Sequence, residues 1–205
     1  MGRLTGRRIL AVLATLPFLV GLAACSGATA DADTVYVVGD SLAAVDSDVI
    51  ELRFGPPSWV AHLDPEFTVL GASAAAGATT EDLSSAVQRS DAHTLLILAG
   101  VNDAGVLAFD TTAYHLEAIV ERTRTPHVVL STIPPHNDRP QVHVQFNSNL
   151  GLLARDKGWQ LCDPMGQVRD GVLWAPGMSD DGRYPNEAGA RAIGRALSEC
   201  VRESR

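Results

Sequence analysis

The chain has 205 residues, and 46% of them are hydrophobic, which suits one folded domain and argues against intrinsic disorder. Acidic residues outnumber basic ones by 24 to 16, giving a formal net charge of −8. Because a protein that binds nucleic acid needs a basic surface, this charge excludes a nucleic-acid partner.

The N-terminal residues have the pattern of an export signal. Three arginines within the first eight residues precede an apolar stretch at 9–22. That stretch is shorter than the ~20 residues that a membrane-spanning helix needs. The following Leu22-Ala23-Ala24-Cys25 resembles the lipobox of bacterial lipoproteins, whose cysteine is acylated and becomes the mature N-terminus. An uncleaved membrane anchor is the alternative interpretation.

These features divide the chain into three parts. We predict a lipoprotein signal peptide at 1–24, a lipidated tether at 25–33 with Cys25 as the lipidation site, and one domain at 34–205. Two acyl chains would hold the protein firmly in the membrane, since each methylene buried in the bilayer contributes ~0.8 kcal/mol to binding. We therefore expect an extracytoplasmic protein held to the outer face of the cell membrane.

Short apolar runs alternate with helix-like segments throughout the predicted domain. The runs are Val35–Val38, Thr68–Leu70, Thr94–Leu98, Val128–Thr132 and Trp159–Leu161. The helix-like segments are Trp59–Leu63, Glu81–Arg89, Thr112–Arg122, Val142–Lys157 and Glu187–Val201. Thr79 with Asp82 is typical of a capping box, and Asn186 of a helix N-cap. The alternation predicts an α/β fold: a three-layer α/β/α sandwich with a five-stranded, parallel, flavodoxin-like sheet.

Two cysteines remain in the domain once Cys25 is assigned to lipid. Outside the cytoplasm, a disulfide between Cys162 and Cys200 is allowed. Cys200 also shares helical spacing with Ile193 and Leu197, so it fits a buried apolar position equally well. The spacing of the cysteines does not indicate a metal site.

Polar motifs follow the predicted strands, where the sheet of such a fold binds its ligands. Gly39-Asp40-Ser41-Leu42 follows the first strand, Gly77-Ala78-Thr79-Thr80 the second and Gly100-Val101-Asn102-Asp103 the third. In this order the motifs resemble three conserved blocks of the SGNH (GDSL) serine hydrolases, and the resemblance extends over about 35–201. It implies that Ser41 is the nucleophile. It also implies an oxyanion hole made of the backbone N–H groups of Ser41 and Gly77 and the side-chain amide of Asn102.

One further motif resembles the fifth block of the family, and we call it the fifth motif; it departs from the family pattern at one position. Asp181-Gly182-Arg183-Tyr184-Pro185-Asn186 resembles the block that carries the catalytic aspartate and histidine, but Tyr184 stands where the histidine belongs. A phenol titrates near ~10 and an imidazole near ~6.5, so Tyr184 is a poor base at neutral pH. Tyr184 has three other possible roles: a hydrogen bond to Asp181, a hydrogen bond to a ligand, or packing at the helix entry.

Two histidines are candidates for the base that would replace the family histidine. His136 lies in the proline-rich loop after the fourth predicted strand, on the same edge as Ser41, and His143 follows closely. A lone loop histidine is more often a solvated surface residue, and that interpretation stays open.

Two functions are compatible with these residues. The first is an exported, lipid-anchored serine hydrolase that acts on acyl esters of lipids, sugars or cell-wall glycans through Ser41, Asp181 and the oxyanion donors. The second is a catalytically silent relative that binds acylated glycan or lipid. We expect a monomer with no cofactor and no metal, whose partners are a small-molecule or glycan ester and the membrane that holds its anchor.

Overall fold

The computed structural model of the protein describes residues 1–2 and 32–204. Its strands are β1 (Thr34–Gly39), β2 (Thr68–Ala74), β3 (Thr94–Leu98), β4 (His127–Ser131), β5 (Gln160–Cys162), β6 (Arg169–Asp170) and β7 (Leu173–Trp174). Its α-helices are α1 (Ser41–Ala44), α2 (Thr80–Ala86), α3 (Phe109–Thr123), α4 (Pro140–Lys157) and α5 (Glu187–Glu203). Two 3₁₀ turns cover Trp59–His62 and Pro164–Gln167. The predicted signal peptide and Cys25 lie outside the described residues.

The first five strands form one parallel sheet in the order β2-β1-β3-β4-β5. This confirms the predicted five-stranded α/β fold. Because every strand runs in the same direction, the loops that follow the strands all leave from one edge of the sheet. We call this edge the carboxyl edge. β6 and β7 form a separate antiparallel hairpin.

The sheet is apolar where helices cover both of its faces. Every residue of β1 and β3 is buried, as expected for central parallel strands. One contact fixes the position of α5 closely: a Cβ added to Gly194 would lie 2.3 Å from the Trp59 carbonyl oxygen. Trp59 is itself fully buried, so the glycine lets the helix approach the 3₁₀ turn at Trp59–His62 closely.

The predicted elements are all present; β3 has its predicted bounds, and the bounds of the other elements differ by a few residues. β2 continues to Ala74, beyond the predicted end at Leu70. It is an edge strand with Leu70 half exposed, so it has no continuous apolar run to mark its length. α2 ends at Ala86, because Val87 turns to an extended conformation, and the predicted continuation to Arg89 is wrong.

Cys162 and Cys200 form a disulfide, with Cα atoms 5.9 Å apart. It joins the end of β5 to α5, so the C-terminal helix is tied covalently to the sheet. The alternative, in which Cys200 is only a buried apolar residue, is therefore wrong. Among the described residues, no helix is both long enough and apolar enough to cross a membrane.

Candidate active site

Ser41 is the first residue of α1 and follows directly on the tight turn that ends β1. The turn needs a glycine, since a Cβ at Gly39 would lie 2.5 Å from the Cβ of Ala43. Asp40 caps the helix by accepting a hydrogen bond from the Leu42 N–H at 3.1 Å. The turn leaves Ser41 partly exposed at the carboxyl edge.

The buried carboxyl group of Asp40 also reaches the third motif, where it accepts a hydrogen bond from the Val101 N–H at 3.3 Å. Burial raises the pKa of Asp40 to about 6, although its two backbone hydrogen bonds oppose that shift. Sequence reasoning missed this contact. The only signal was an acidic residue next to the predicted nucleophile. Asp40 thus holds the Ser41 turn against the loop that carries Asn102.

Side-chain hydrogen bonds join the second and third motifs as well. The Asn102 amide donates to the Ala78 carbonyl oxygen at 2.9 Å. The fully buried carboxyl group of Asp103 accepts from the Thr80 N–H at 3.1 Å and from the Thr80 hydroxyl at 2.6 Å. Together with the contact of Asp40, these bonds bring the three predicted motifs into one cluster.

Each predicted oxyanion donor has an N–H hydrogen without a partner among residues 32–204. Among residues 32–204, neither the Ser41 N–H nor the Gly77 N–H has a hydrogen-bond acceptor. The Asn102 amide nitrogen carries two hydrogens and uses one, for Ala78, so the other has no partner in the described part of the chain. The cluster therefore offers three N–H donors to a ligand.

Gly77 has a left-handed backbone with φ of 74°, a conformation that favours glycine. A Cβ built on Gly77 would meet no atom within 4 Å. The residue is exposed, so glycine is required here by backbone conformation, and the space above it is open to a ligand.

Hydrogen bonds to the Asp181 carboxylate hold the fifth motif together. The Asp181 carboxylate accepts hydrogen bonds from the Tyr184 N–H at 2.9 Å, the Arg183 N–H at 2.8 Å and the Ser179 hydroxyl at 3.3 Å. The bond from the Tyr184 N–H is the main reason why the pKa of Asp181 is lowered. Tyr184 is 48% exposed, and its phenol has no hydrogen-bond partner among the described residues. Tyr184 thus contacts Asp181 through its backbone and not through the predicted phenol bond.

The loop after β4 is bonded to the fifth motif. The Asn137 N–H donates to the Gly182 carbonyl oxygen at 2.8 Å, and Arg183 forms an ion pair with Asp138 at 2.6 Å. A Cβ at Gly182 would lie 2.7 Å from the Asn137 amide, so the two loops are in close contact.

His136 and His143 are both buried, at 9% and 2% exposure, so the interpretation of His136 as a solvated surface residue is wrong. Their ring centroids lie 5.2 Å apart. Burial is the main cause that lowers the pKa of each imidazole. The Ser41 hydroxyl has no hydrogen bond to an imidazole anywhere in residues 32–204.

The family of the chain follows from a comparison with known sequences. A model of the GDSL-like lipase/acylhydrolase family matches residues 37–192, a span that holds all four motifs. The chain belongs to this family. The match is what the resemblance to SGNH hydrolases predicts, and such a family implies small-molecule ester substrates. None of the curated proteins matches the chain.

Solved structures show the same fold at low sequence identity. A protein assigned to the lipolytic G-D-S-L family, from Desulfitobacterium hafniense, matches with a TM-score of 0.67 and 21% identity over 82% of this chain and 99% of its own. An acetylxylan esterase from Geobacillus stearothermophilus matches with a TM-score of 0.63 and 17% identity, over 84% of this chain and 95% of its own. The aryl esterase of M. smegmatis matches with a TM-score of 0.61 and 21% identity, over 84% of this chain and 100% of its own.

The described residues contain no group of three or more His, Cys, Asp or Glu side chains that could hold a metal ion. The cluster of the first three motifs contains the partly exposed Ser41 hydroxyl and three N–H donors that each have a free hydrogen. These are the groups of acyl-transfer chemistry.

Proposed function

We propose that the protein is an exported, lipid-anchored serine hydrolase that cleaves acyl esters with Ser41 as its nucleophile. The observation that carries this proposal is the cluster of the first three motifs. It places a partly exposed Ser41 in a cluster with three N–H donors that no described residue uses. A binding protein has no need for a nucleophile combined with this set of donors.

The donors have a specific use in ester cleavage. When the Ser41 oxygen attacks the carbonyl carbon, negative charge develops on the carbonyl oxygen of the substrate. The N–H groups of Ser41 and Gly77 and the amide of Asn102 would stabilise that charge. One such donor lowers the barrier by ~2.7–4 kcal/mol in enzymes where it has been removed.

The substrate class we propose is an acyl ester of a lipid, a sugar or a cell-wall glycan. The open space above Gly77 supports access for a substrate at the carboxyl edge. The acetylxylan esterase and the aryl esterase share the fold, and both names describe ester cleavage.

The nucleophile is tested by comparing Ser41→Ala with the unchanged protein on a short-chain activated ester. Ser148→Ala, which removes an exposed hydroxyl on α4, is the matched control. We expect Ser41→Ala to abolish hydrolysis and Ser148→Ala to leave it unchanged. Equal hydrolysis by the Ser41→Ala variant would refute the mechanism.

Export and anchoring rest on two features. The signal pattern with Cys25 predicts lipidation, and the Cys162–Cys200 disulfide is typical of proteins outside the reducing cytoplasm. In a bacterial host given labelled palmitate, the full chain should carry label in the membrane fraction. Cys25→Ala should carry none, and label retained on that variant would contradict the assignment.

A second function, a silent protein that binds acylated glycan or lipid, is favoured by one observation. Tyr184 replaces the family histidine, and no imidazole in the described residues is bonded to the Ser41 hydroxyl. This alternative predicts that the unchanged protein binds an ester without cleaving it, and that Ser41→Ala binds it equally well.

A further inference from the structure

The serine mechanism proposed above needs a base, and the fifth motif does not provide one. A serine hydroxyl is activated by a neighbouring group that takes its proton near neutral pH. Two buried imidazoles, His136 and His143, lie next to that motif. The role that we assign to these two imidazoles rests on the proposed function.

The position of His136 follows from the sheet. Its loop leaves β4 at the carboxyl edge, and only β3 separates β4 from β1, which leads to Ser41. Two strand spacings amount to ~9.6 Å, a gap that side chains reaching from both loops can close. The same loop is hydrogen-bonded to Gly182, two residues before the position where the family has its histidine. His136 is therefore held beside the place that the missing base would occupy.

The hydrogen bonds of His143 determine which of its nitrogens carries hydrogen. Its Nδ1 lies 2.7 Å from the Pro134 carbonyl oxygen. A carbonyl oxygen only accepts, so Nδ1 is the protonated nitrogen of the neutral ring and Nε2 has a free lone pair. This Nε2 is buried and has no partner in the described residues.

His136 has the complementary unpaired atom. Its Nδ1 is also buried without a partner among residues 32–204. Imidazoles joined by one N–H···N hydrogen bond have centroids roughly 5 Å apart, the sum of a ~2.9 Å bond and two ring radii. The observed 5.2 Å is compatible with that separation, and Nδ1 of His136 can donate to Nε2 of His143 once the tilted rings reorient. Nε2 of His136 is then the nitrogen left to accept a proton.

The charges around His136 come from three elements. Arg139 and Asp138 belong to its own loop, Arg183 to the fifth motif, and His143 to α4. Burial, with Arg139 next, lowers the pKa of His136 below its usual value. The ring is therefore neutral at pH 7, which is the state a base requires.

We propose that His136 is the catalytic base of this protein and that His143 is the positioning residue that orients it. Nε2 of His136 takes the proton of the Ser41 hydroxyl while the serine oxygen bonds to the ester carbon. The imidazolium then gives that proton to the alcohol as the carbon–oxygen bond breaks, which leaves an acyl-serine. Water, deprotonated by the same nitrogen, attacks the acyl-serine; the proton returns to Ser41, and the carboxylic acid leaves.

The test measures kcat/KM for a short-chain activated ester against pH, in the full chain and its variants. We expect the unchanged protein to lose activity as pH falls through a pKa below ~6.5, the usual value for histidine. His136→Gln should lower kcat/KM by ~10²–10⁴-fold and remove this limb of the profile. His62→Gln is the matched control, because it removes an imidazole whose one hydrogen bond to the described residues goes to the Pro56 carbonyl oxygen. It should leave the profile unchanged.

His143 is tested by two substitutions that separate packing from hydrogen bonding. His143→Gln keeps an acceptor for His136 and should retain most activity. His143→Phe keeps a buried ring without an acceptor, and it should lower kcat/KM and alter the pH limb. Circular dichroism and thermal unfolding show whether each variant is folded. If a His136 variant fails to fold, the folded His143→Phe variant provides the test. Loss of the acid limb of its pH profile supports His136 as the base, and an unchanged limb overturns that role.

The two proposals fail in different ways. Unchanged kcat/KM and an unchanged limb in folded His136→Gln, with Ser41 still required, would overturn the role of His136 alone. The role of His136 would also be overturned if the activity instead rose through a pKa typical of a phenol and the Tyr184→Phe variant lost that limb of the pH profile. Hydrolysis that persists in Ser41→Ala would overturn the proposed function itself.

Discussion

The position of Ser41 depends on the two residues that precede it in the chain. Gly39 permits the tight turn. The buried carboxyl group of Asp40 accepts hydrogen bonds from two backbone N–H groups, one in α1 and one at Val101. An acceptor with two lone-pair-bearing oxygens can serve both donors at once, which an apolar residue could not do. The turn and the loop of Asn102 therefore keep a fixed relation.

Gly77 gives a prediction at the residue scale. Gly77→Ala should cost ~1–2 kcal/mol of stability, because alanine disfavours the left-handed backbone. Gly171→Ala is the matched control, since Gly171 also has positive φ, 61°, and also has open space around its Cβ position. In urea denaturation we expect both variants to lose a similar amount of the free energy of unfolding. Only Gly77→Ala should lower kcat/KM, by ~10-fold or more. Equal kcat/KM for both variants would remove Gly77 from the site.

Residue identity predicted much of the candidate site, but not its bonding. The motifs around Ser41, Gly77 and Asn102 were identified from the sequence, and the structure brings them into one cluster. The burial of His136 was not predictable from the sequence, because the loop that carries it packs against a segment 45 residues further along the chain, as the Arg183–Asp138 ion pair shows. Single-residue context carries no information about such contacts.

At the scale of elements, the central strands were the most predictable. β3 matches its predicted bounds, Thr94–Leu98, because all five residues are buried on both faces and form a continuous apolar run. The capping box at Thr79 and Asp82 and the N-cap at Asn186 are confirmed, since caps are local in sequence. The β6–β7 hairpin was missed. Its two-residue strands are too short to show a pattern.

The disulfide gives a prediction at the element scale. It closes a separation of 38 residues between β5 and α5. Replacing both cysteines by alanine should lower the free energy of unfolding by ~2–4 kcal/mol, since the unfolded chain regains entropy. Urea denaturation measures the change. A reductant should destabilise the unchanged protein and have no effect on the double variant. Equal stability of the two oxidised proteins would show that the bond does not support the fold.

The whole molecule explains why distant motifs form one site. In an all-parallel sheet, each strand delivers its following loop to the carboxyl edge, so Ser41, Gly77, Asn102 and His136 reach the same edge from four strands. β1 starts at the opposite edge, directly after the predicted tether. The proposed anchor therefore joins the domain at the edge away from the site, an arrangement compatible with substrates outside the bilayer.

The reactivity of Ser41 is tested most directly by a fluorophosphonate, which a nucleophilic serine attacks at phosphorus with loss of fluoride. Intact-mass analysis after incubation, followed by peptide mapping, locates the adduct. The proposed role of Ser41 as the nucleophile predicts one adduct on the peptide that contains Ser41 and none on the Ser41→Ala variant. An adduct on another residue, or the same adduct mass on the Ser41→Ala variant, would contradict it.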